Sequence, residues 1–167
     1  MVENGSMETL TAEQVWQALE EVKDPELPVV SVVEMGIVRA VSVSDNAVII
    51  TMTPTFSGCP ALAMMKTAIE ARVRLAGAES VNVKTVLAPP WTSDWITDAA
   101  RKKLTAFGLA PPPRHEGHWE RLLANAAACP YCGSQNTTLK NSFGPTLCRA
   151  LYYCNNCQQP FEQFKPI

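Results

Sequence analysis

Two CxxC pairs near the carboxyl end of the 167-residue chain constrain its fold more than any other feature. Cys129 and Cys132 form the first pair, and Cys154 and Cys157 form the second. Each CxxC turn brings two thiolates together, and four such sulfurs satisfy tetrahedral Zn(II) at about 2.3 Å each. A segment of about 40 residues rarely folds on hydrophobic burial alone. The spacing therefore predicts a small zinc-ribbon module over residues 128–167.

The metal of this ribbon is expected to be structural. Four sulfurs close the coordination sphere and leave no open position for a reacting water. Zinc is favoured by the softness of the four sulfur ligands, and disulfides are disfavoured because the chain shows no signal peptide and cytosolic thiols stay reduced. Iron, bound as in rubredoxin or in a cluster, and disulfides are the alternatives. Strand-forming residues at 137–141 and 150–153, covered by Phe161 and Phe164, would make the ribbon's small sheet.

The charge balance argues against nucleic-acid binding. The 14 Lys and Arg residues face 16 Asp and Glu residues, which gives a net charge of -2 and no basic surface for a polyanion. The chain has no cationic stretch followed by an apolar run at its start, and no run of about 18 apolar residues that could span a membrane. We therefore expect a cytoplasmic protein that binds neither nucleic acid nor a membrane.

Residues 8–110 predict a two-layer α+β domain with the order α-β-β-α-β and one further helix. Thr11 and Gln14 form a capping box before an amphipathic helix over residues 11–22, and β-branched residues at 37–43 and 47–53 predict a hairpin. A second helix follows Pro60, a strand spans 81–87, and Thr97 caps the last helix. A Pro-rich linker is expected over residues 111–127, with His115 and His118 solvated within it.

Two cysteines lie outside the CxxC pairs and are candidate transient ligands of a metal or cluster. Cys59 precedes Pro60 at the start of the second helix, where free backbone N–H groups and the helix dipole favour a thiolate. An inert cysteine is the alternative at this position. Cys148 is either a small buried hydrophobe of a ribbon strand or a second thiol that faces the α+β domain.

Four further residues are candidates for partner binding: Asp24, Glu26, Trp91 and Trp95. Carboxylates beside prolines usually cap helices or face water, so a catalytic carboxylate pair is disfavoured. Tryptophans at this spacing either pack in a core or stack on a partner.

Several motifs together carry a resemblance to a known family: Asp24-Pro-Glu-Leu-Pro-Val29, Met35-Gly-Ile-Val38, Thr53-Pro-Thr55 with Gly58-Cys-Pro60, and Pro90-Trp-Thr-Ser-Asp-Trp95. They resemble the domain shared by cytosolic iron-sulfur targeting factors, accessory proteins of iron-sulfur assembly and the PaaD family, which accompanies bacterial phenylacetyl-CoA epoxidase. The ribbon cysteines, with Phe143-Gly-Pro-Thr-Leu-Cys148 between them, narrow the resemblance to the PaaD family. It covers nearly the whole chain after Leu10.

The resemblance implies an iron-sulfur-assembly-like core in which the position of Cys59 is functional. It also implies a role beside the oxygenase and reductase subunits that epoxidise the ring of phenylacetyl-CoA in aerobic phenylacetate degradation, as an accessory or maturation factor. The chain itself lacks the carboxylate and Glu-x-x-His set of a di-iron oxygenase. A maturation factor that uses Cys59, a structural adaptor without metal transfer, and a thioester enzyme without an evident base are the three hypotheses.

Overall fold

The computed structural model describes residues 9–118 and 127–166, and its first helix, α1, spans Ala12–Glu20. The Thr11 side chain accepts the Gln14 backbone N–H, and the Gln14 side chain accepts the Thr11 N–H, which is the predicted capping box. Val15, Ala18 and Leu19 form the buried side of the helix. The predicted helix is confirmed with slightly shorter bounds.

A short hairpin follows this helix at the two prolines. Strand β1 (Lys23–Asp24) pairs antiparallel with β2 (Leu27–Ser31). Asp24 Oδ1 accepts the backbone N–H of Glu26 at 2.8 Å and thereby stabilises the turn between the two strands. The sequence pattern predicted only that the helix ends here.

The main sheet has the strand order β3-β4-β5. Strands β3 (Val38–Ser44) and β4 (Ala47–Met52) form the predicted hairpin, whose turn residues Asp45 and Asn46 have φ of 49° and 62°. Helix α2 (Leu62–Leu75) then leads to β5 (Ser80–Thr85), which pairs parallel with β4. Buried apolar side chains of β4 and α2 belong to one core: Val48, Ile50, Met52, Met65, Ile69 and Val73.

A 3-10 turn at Ser93–Trp95 precedes helix α3 (Asp98–Ala106), which Thr97 caps by accepting the Ala100 N–H. Strand β6 (Leu109–Ala110) follows directly. The α+β class is confirmed by this mixture of helices with antiparallel and parallel strands. Within residues 9–118 and 127–166, no helix is both long and apolar enough to cross a bilayer.

The ribbon contains β7 (Thr137–Asn141), β8 (Arg149–Cys154) and β9 (Pro160–Phe164). Its sheet has the order β6-β9-β8-β7, so that a strand from before the linker completes it. The Phe164 ring meets the Trp91 ring edge-on, with the centroids 5.8 Å apart. Phe164 and Cys148 belong to the same apolar core as the main sheet. The ribbon and the first domain therefore share both a sheet and a core.

The first part of the linker is held against the 3-10 turn. His115 is 4% exposed, its Nε2 lies 2.9 Å from Thr92 Oγ1, and its backbone N–H donates to Asp94 Oδ1 at 2.9 Å. Gly117 N–H donates to His115 Nδ1, which assigns the ring proton to Nε2. The expectation that His115 is solvated is wrong, because a carboxylate and a hydroxyl from residues 92–94 hold it in a buried position.

Candidate metal centre and thiol cleft

The four cysteines of the two CxxC pairs converge on one point. The sulfurs of Cys129 and Cys157 are 3.6 Å apart, as are those of Cys132 and Cys154, and all four lie within 4.8 Å of one another. Four sulfurs placed tetrahedrally at about 2.3 Å from an ion would be about 3.8 Å apart. The arrangement therefore fits one tetrahedral metal ion.

Two similar turns position these sulfurs. Gly133 N–H donates to the Cys129 carbonyl and Gln158 N–H donates to the Cys154 carbonyl, at 2.8 and 2.9 Å. Both donors have positive φ, of 73° and 60°, which is unstrained for glycine and less favourable for glutamine. Each turn thus folds its CxxC pair back on itself, so that both sulfurs face the partner pair.

The surroundings of the sulfurs favour a bound cation. The Ser134 N–H and, next, the Asn156 amide donate to the Cys132 sulfur and lower the pKa of this thiol to about 6. The small apolar cluster of the ribbon comprises Ala110, Ala127, Phe161 and two of the cysteines, Cys129 and Cys154. Because this cluster is small, metal binding would supply much of the folding free energy of the ribbon.

The two remaining cysteines line one cavity of about 240 Å³ between the first domain and the ribbon. Cys59 comes from the segment before α2, Cys148 from the residue before β8, and Glu26 from the turn between β1 and β2. We call this cavity the thiol cleft. Aromatic and apolar side chains at its mouth are exposed, with Phe143 at 68% and Leu147 at 51%.

Cys59 lies just outside the helix that was expected to begin at Pro60. Helix α2 begins at Leu62 with Ala61 as its cap residue. Burial raises the pKa of the Cys59 thiol and outweighs the Ala61 N–H that lowers it, and the charges of Glu26 and Asp24 raise it further. Of the two alternatives for Cys59, a thiolate is therefore disfavoured in the absence of a bound cation, because burial and the neighbouring carboxylates oppose the effect of the helix N-terminus.

Cys148 is buried beside a carboxylate and a hydroxyl. Its thiol lies 3.2 Å from Thr146 Oγ1 and donates to Glu26 Oε2 at 3.8 Å. Burial raises the pKa of this thiol, and the Glu26 charge adds to the effect. Arg149 Nη2 donates to the Glu26 carbonyl at 2.6 Å, and Nη1 donates to Glu162 at 2.9 Å. The β8 strand thereby fixes the turn that carries Glu26.

The other partner-binding candidates are separated by the fold. Asp24 is buried, and this burial raises the pKa of its carboxyl group. Trp91 is 3% exposed and donates its indole N–H to the Met35 carbonyl at 2.9 Å, so its ring packs in the core. Trp95 is half-buried, with the Arg39 guanidinium 3.5 Å from its ring centroid.

Sequence patterns did not indicate that Glu26 would meet Cys148, since 122 positions separate them. The contact between Glu26 and Cys148 forms because β9 pairs with β6 and β8 pairs with β9, so that the ribbon packs against the β1–β2 turn. The carboxylate between two prolines at 24–28 was the one signal in the sequence that could have pointed to this turn.

Two family models match consecutive parts of the chain. Residues 12–85 match the model of the iron-sulfur cluster assembly protein, and residues 114–165 match the PaaD zinc beta ribbon domain. Among solved structures, a domain of unknown function from Bacillus anthracis is 29% identical with a TM-score of 0.52, and covers 55% of this chain and 89% of its own. A conserved hypothetical protein of Thermotoga maritima is 32% identical with a TM-score of 0.51, and covers 57% and 95%.

Curated relatives extend the match. A Bacillus subtilis protein named as a Fe-S protein maturation auxiliary factor is 35% identical over 57% of this chain and 94% of its own length. An Escherichia coli protein named as a subunit of 1,2-phenylacetyl-CoA epoxidase is 40% identical over 92% of both chains. The fold and the cysteine cluster thus define an iron-sulfur cluster assembly domain joined to a ribbon domain. The chain belongs to the PaaD family of phenylacetyl-CoA epoxidase subunits, and its relatives support an accessory role.

Proposed function

We propose that this protein is a cytoplasmic maturation factor of the multicomponent phenylacetyl-CoA epoxidase, which epoxidises the aromatic ring in aerobic phenylacetate degradation. It assists the assembly of a metal centre in an oxygenase or reductase subunit, while its four-cysteine ribbon binds a structural zinc ion. The observation that carries this proposal is that Cys59 and Cys148 both line one cavity outside the ribbon's cysteine cluster. The names of the relatives in iron-sulfur protein maturation support it.

The thiol cleft suits transient rather than permanent ligation. Thiolates are good ligands for iron and for iron-sulfur clusters. Burial and the nearby carboxylates raise the pKa of both thiols, so that each keeps its proton until a cation takes the proton's place. Because protons compete with the metal for these sulfurs, the site would bind metal weakly. It could therefore release the metal to a partner with stronger ligands.

The test is expression of the epoxidase subunits with this protein or with its Cys59→Ser variant, followed by purification of the oxygenase and reductase and measurement of their iron. We expect lower iron with the variant and normal iron with Ser57→Ala, a matched change at an exposed position of the same loop. A maturation factor should also become dispensable in vitro once its partner is fully metallated. Normal partner iron with Cys59→Ser would contradict the proposal.

A structural adaptor is the second candidate, and one observation favours it. Phe143 and Leu147 expose apolar surface at the mouth of the thiol cleft, as partner-binding residues commonly do. An adaptor would remain necessary after metallation of its partner, and its Cys59→Ser variant would support full epoxidation. The same reconstitution therefore separates the two functions.

A further inference from the structure

We infer that the thiol cleft is a binding site for a single divalent metal ion of borderline softness, such as Fe(II), with Cys59, Cys148 and Glu26 as its ligands. This inference deepens the proposed function and rests on it, since the ion would be the cargo that the protein delivers. The site is distinct from the metal centre of the ribbon, whose four clustered sulfurs include neither Cys59 nor Cys148.

The first support is the set of donor residues that lines the thiol cleft. Three separate segments supply Glu26, Cys59 and Cys148 to one cavity, and the Cys148 sulfur is already within 3.8 Å of Glu26 Oε2. Two sulfurs with one carboxylate oxygen suit Fe(II) or Zn(II) better than Mg(II) or Ca(II), which prefer oxygen ligands alone.

The second support is the charge around the cavity. Asp24 and Glu26 both carry carboxylates near it, and Arg149, the nearby cation, is paired with Glu162. Within residues 9–118 and 127–166, neither Asp24 nor Glu26 belongs to an ion pair. A cation in the cavity would compensate this negative charge, whereas an anionic ligand would be repelled.

The number of donors decides between an ion and a cluster. Iron-sulfur clusters are usually held by four cysteine thiolates, and the cleft supplies two. Three protein ligands leave a tetrahedral ion one open position, as in catalytic zinc sites. A cavity of about 240 Å³ leaves room for a ligand from a partner to reach the ion through the mouth.

The experiment uses the full chain with zinc in its ribbon, under anaerobic conditions, and Co(II) as a spectroscopic substitute for Fe(II). We expect one equivalent of Co(II) to bind in addition to the zinc, with absorption from charge transfer between thiolate and Co(II). Zinc content measured before and after the titration shows that the ribbon ion has not been exchanged.

Variants identify the ligands. Cys59→Ser and Cys148→Ala should each weaken binding at least about tenfold and remove about half of the charge-transfer absorption. Glu26→Gln should weaken binding while the absorption at saturation is retained. Glu79→Gln, at an exposed position on the loop before β5, is the matched control and should change nothing. Circular dichroism checks that the Cys148→Ala variant still folds, since Cys148 is buried. Cys59 is only half-buried, so the Cys59→Ser variant tests the site even if Cys148→Ala does not fold.

Absence of the additional Co(II), or equal absorption in the wild type and both cysteine variants, would overturn the inference. If Co(II) does not bind but Cys59→Ser still lowers partner iron, the ion site is wrong and the proposed function stands. If Co(II) binds as expected but partner iron is unchanged, the ion site is supported and the proposed maturation role is overturned.

Discussion

The Cys148 thiol donates to Glu26 Oε2 at 3.8 Å, and this contact joins the ribbon to the turn between β1 and β2. Arg149, the next residue, reinforces it through the Glu26 carbonyl. The ribbon is thus not a separate body on a tether, because the residue before its second strand lies inside the first domain's core. Removal of the ribbon should therefore change the thiol cleft as well as the fold of the first domain.

Phe164→Ala tests the shared core. Phe164 is 1% exposed and meets Trp91 edge-on, so the variant should lose about 3–5 kcal/mol of unfolding free energy. Phe143→Ala is the matched control, since Phe143 is 68% exposed and its loss should change stability by no more than about 0.5 kcal/mol. Urea denaturation of both variants measures the difference. Equal stabilities would show that the ribbon does not contribute to the core.

Loss of the ribbon metal tests the boundary at Pro111–113. Cys132→Ser, or a strong chelator, should release the metal and unfold β7 and β8, because metal binding supplies much of the ribbon's folding free energy. The domain before Pro111 should keep its helices at reduced stability, since it loses Phe164 from its core. Amide hydrogen exchange distinguishes the two parts. Simultaneous loss of protection throughout the chain would contradict the boundary.

Gly36 and Gly77 form a natural pair for testing a close backbone approach. A Cβ at Gly36 would lie 2.6 Å from Trp95 Cβ, whereas one at Gly77 would meet nothing within 4 Å. Both residues have positive φ, of 65° and 113°. Gly77→Ala should therefore destabilise by about 1–2 kcal/mol through backbone strain, and Gly36→Ala by clearly more. Thermal denaturation should rank them in this order, and equal effects would exclude the clash.

Glu34 predicts a dependence of stability on acid pH. Burial opposes its charge, but Lys103 Nζ at 2.5 Å and the Ser31 N–H at 3.0 Å outweigh burial and lower the pKa of the carboxyl group. Its contribution is complete above the ordinary glutamate pKa of about 4.3 and is lost as the pH falls through the lower value in the folded protein.

Glu34→Gln should therefore reduce the steepness with which stability falls below about pH 4.3. Glu13→Gln, at an exposed position of α1, serves as the control. Urea denaturation at a series of pH values from neutral to acid measures the free energy of unfolding of each variant. An unchanged acid profile in Glu34→Gln would show that the Lys103 contact contributes nothing to folding.

Local sequence patterns were sufficient for most helices and strands and for the metal centre of the ribbon, but not for the thiol cleft. Thr11 with Gln14, the Asp45-Asn46 turn and the strand Thr137–Asn141 are each specified by side chains within a few positions. Convergence of the four ribbon cysteines follows equally from their CxxC spacing.

The β6–β9 pairing could not be predicted in this way, because Leu109–Ala110 is too short to give a periodic pattern. The direction of the Cys59 pKa shift could not be predicted from the sequence either. The shift depends first on burial and then on the charges of Glu26 and Asp24, which approach Cys59 only through the tertiary fold.

Strand β8 has a cysteine of the metal centre, Cys154, at one end and is preceded by the cleft thiol, Cys148, at the other. Six residues of extended chain fix their separation at roughly 20 Å. A slip of one residue against β9 would turn every β8 side chain to the opposite face of the sheet. An ion bound by Cys154 would therefore fix the register of β8 against β9. In this way the metal centre at one end of the strand would determine the direction of the Cys148 side chain at the other end.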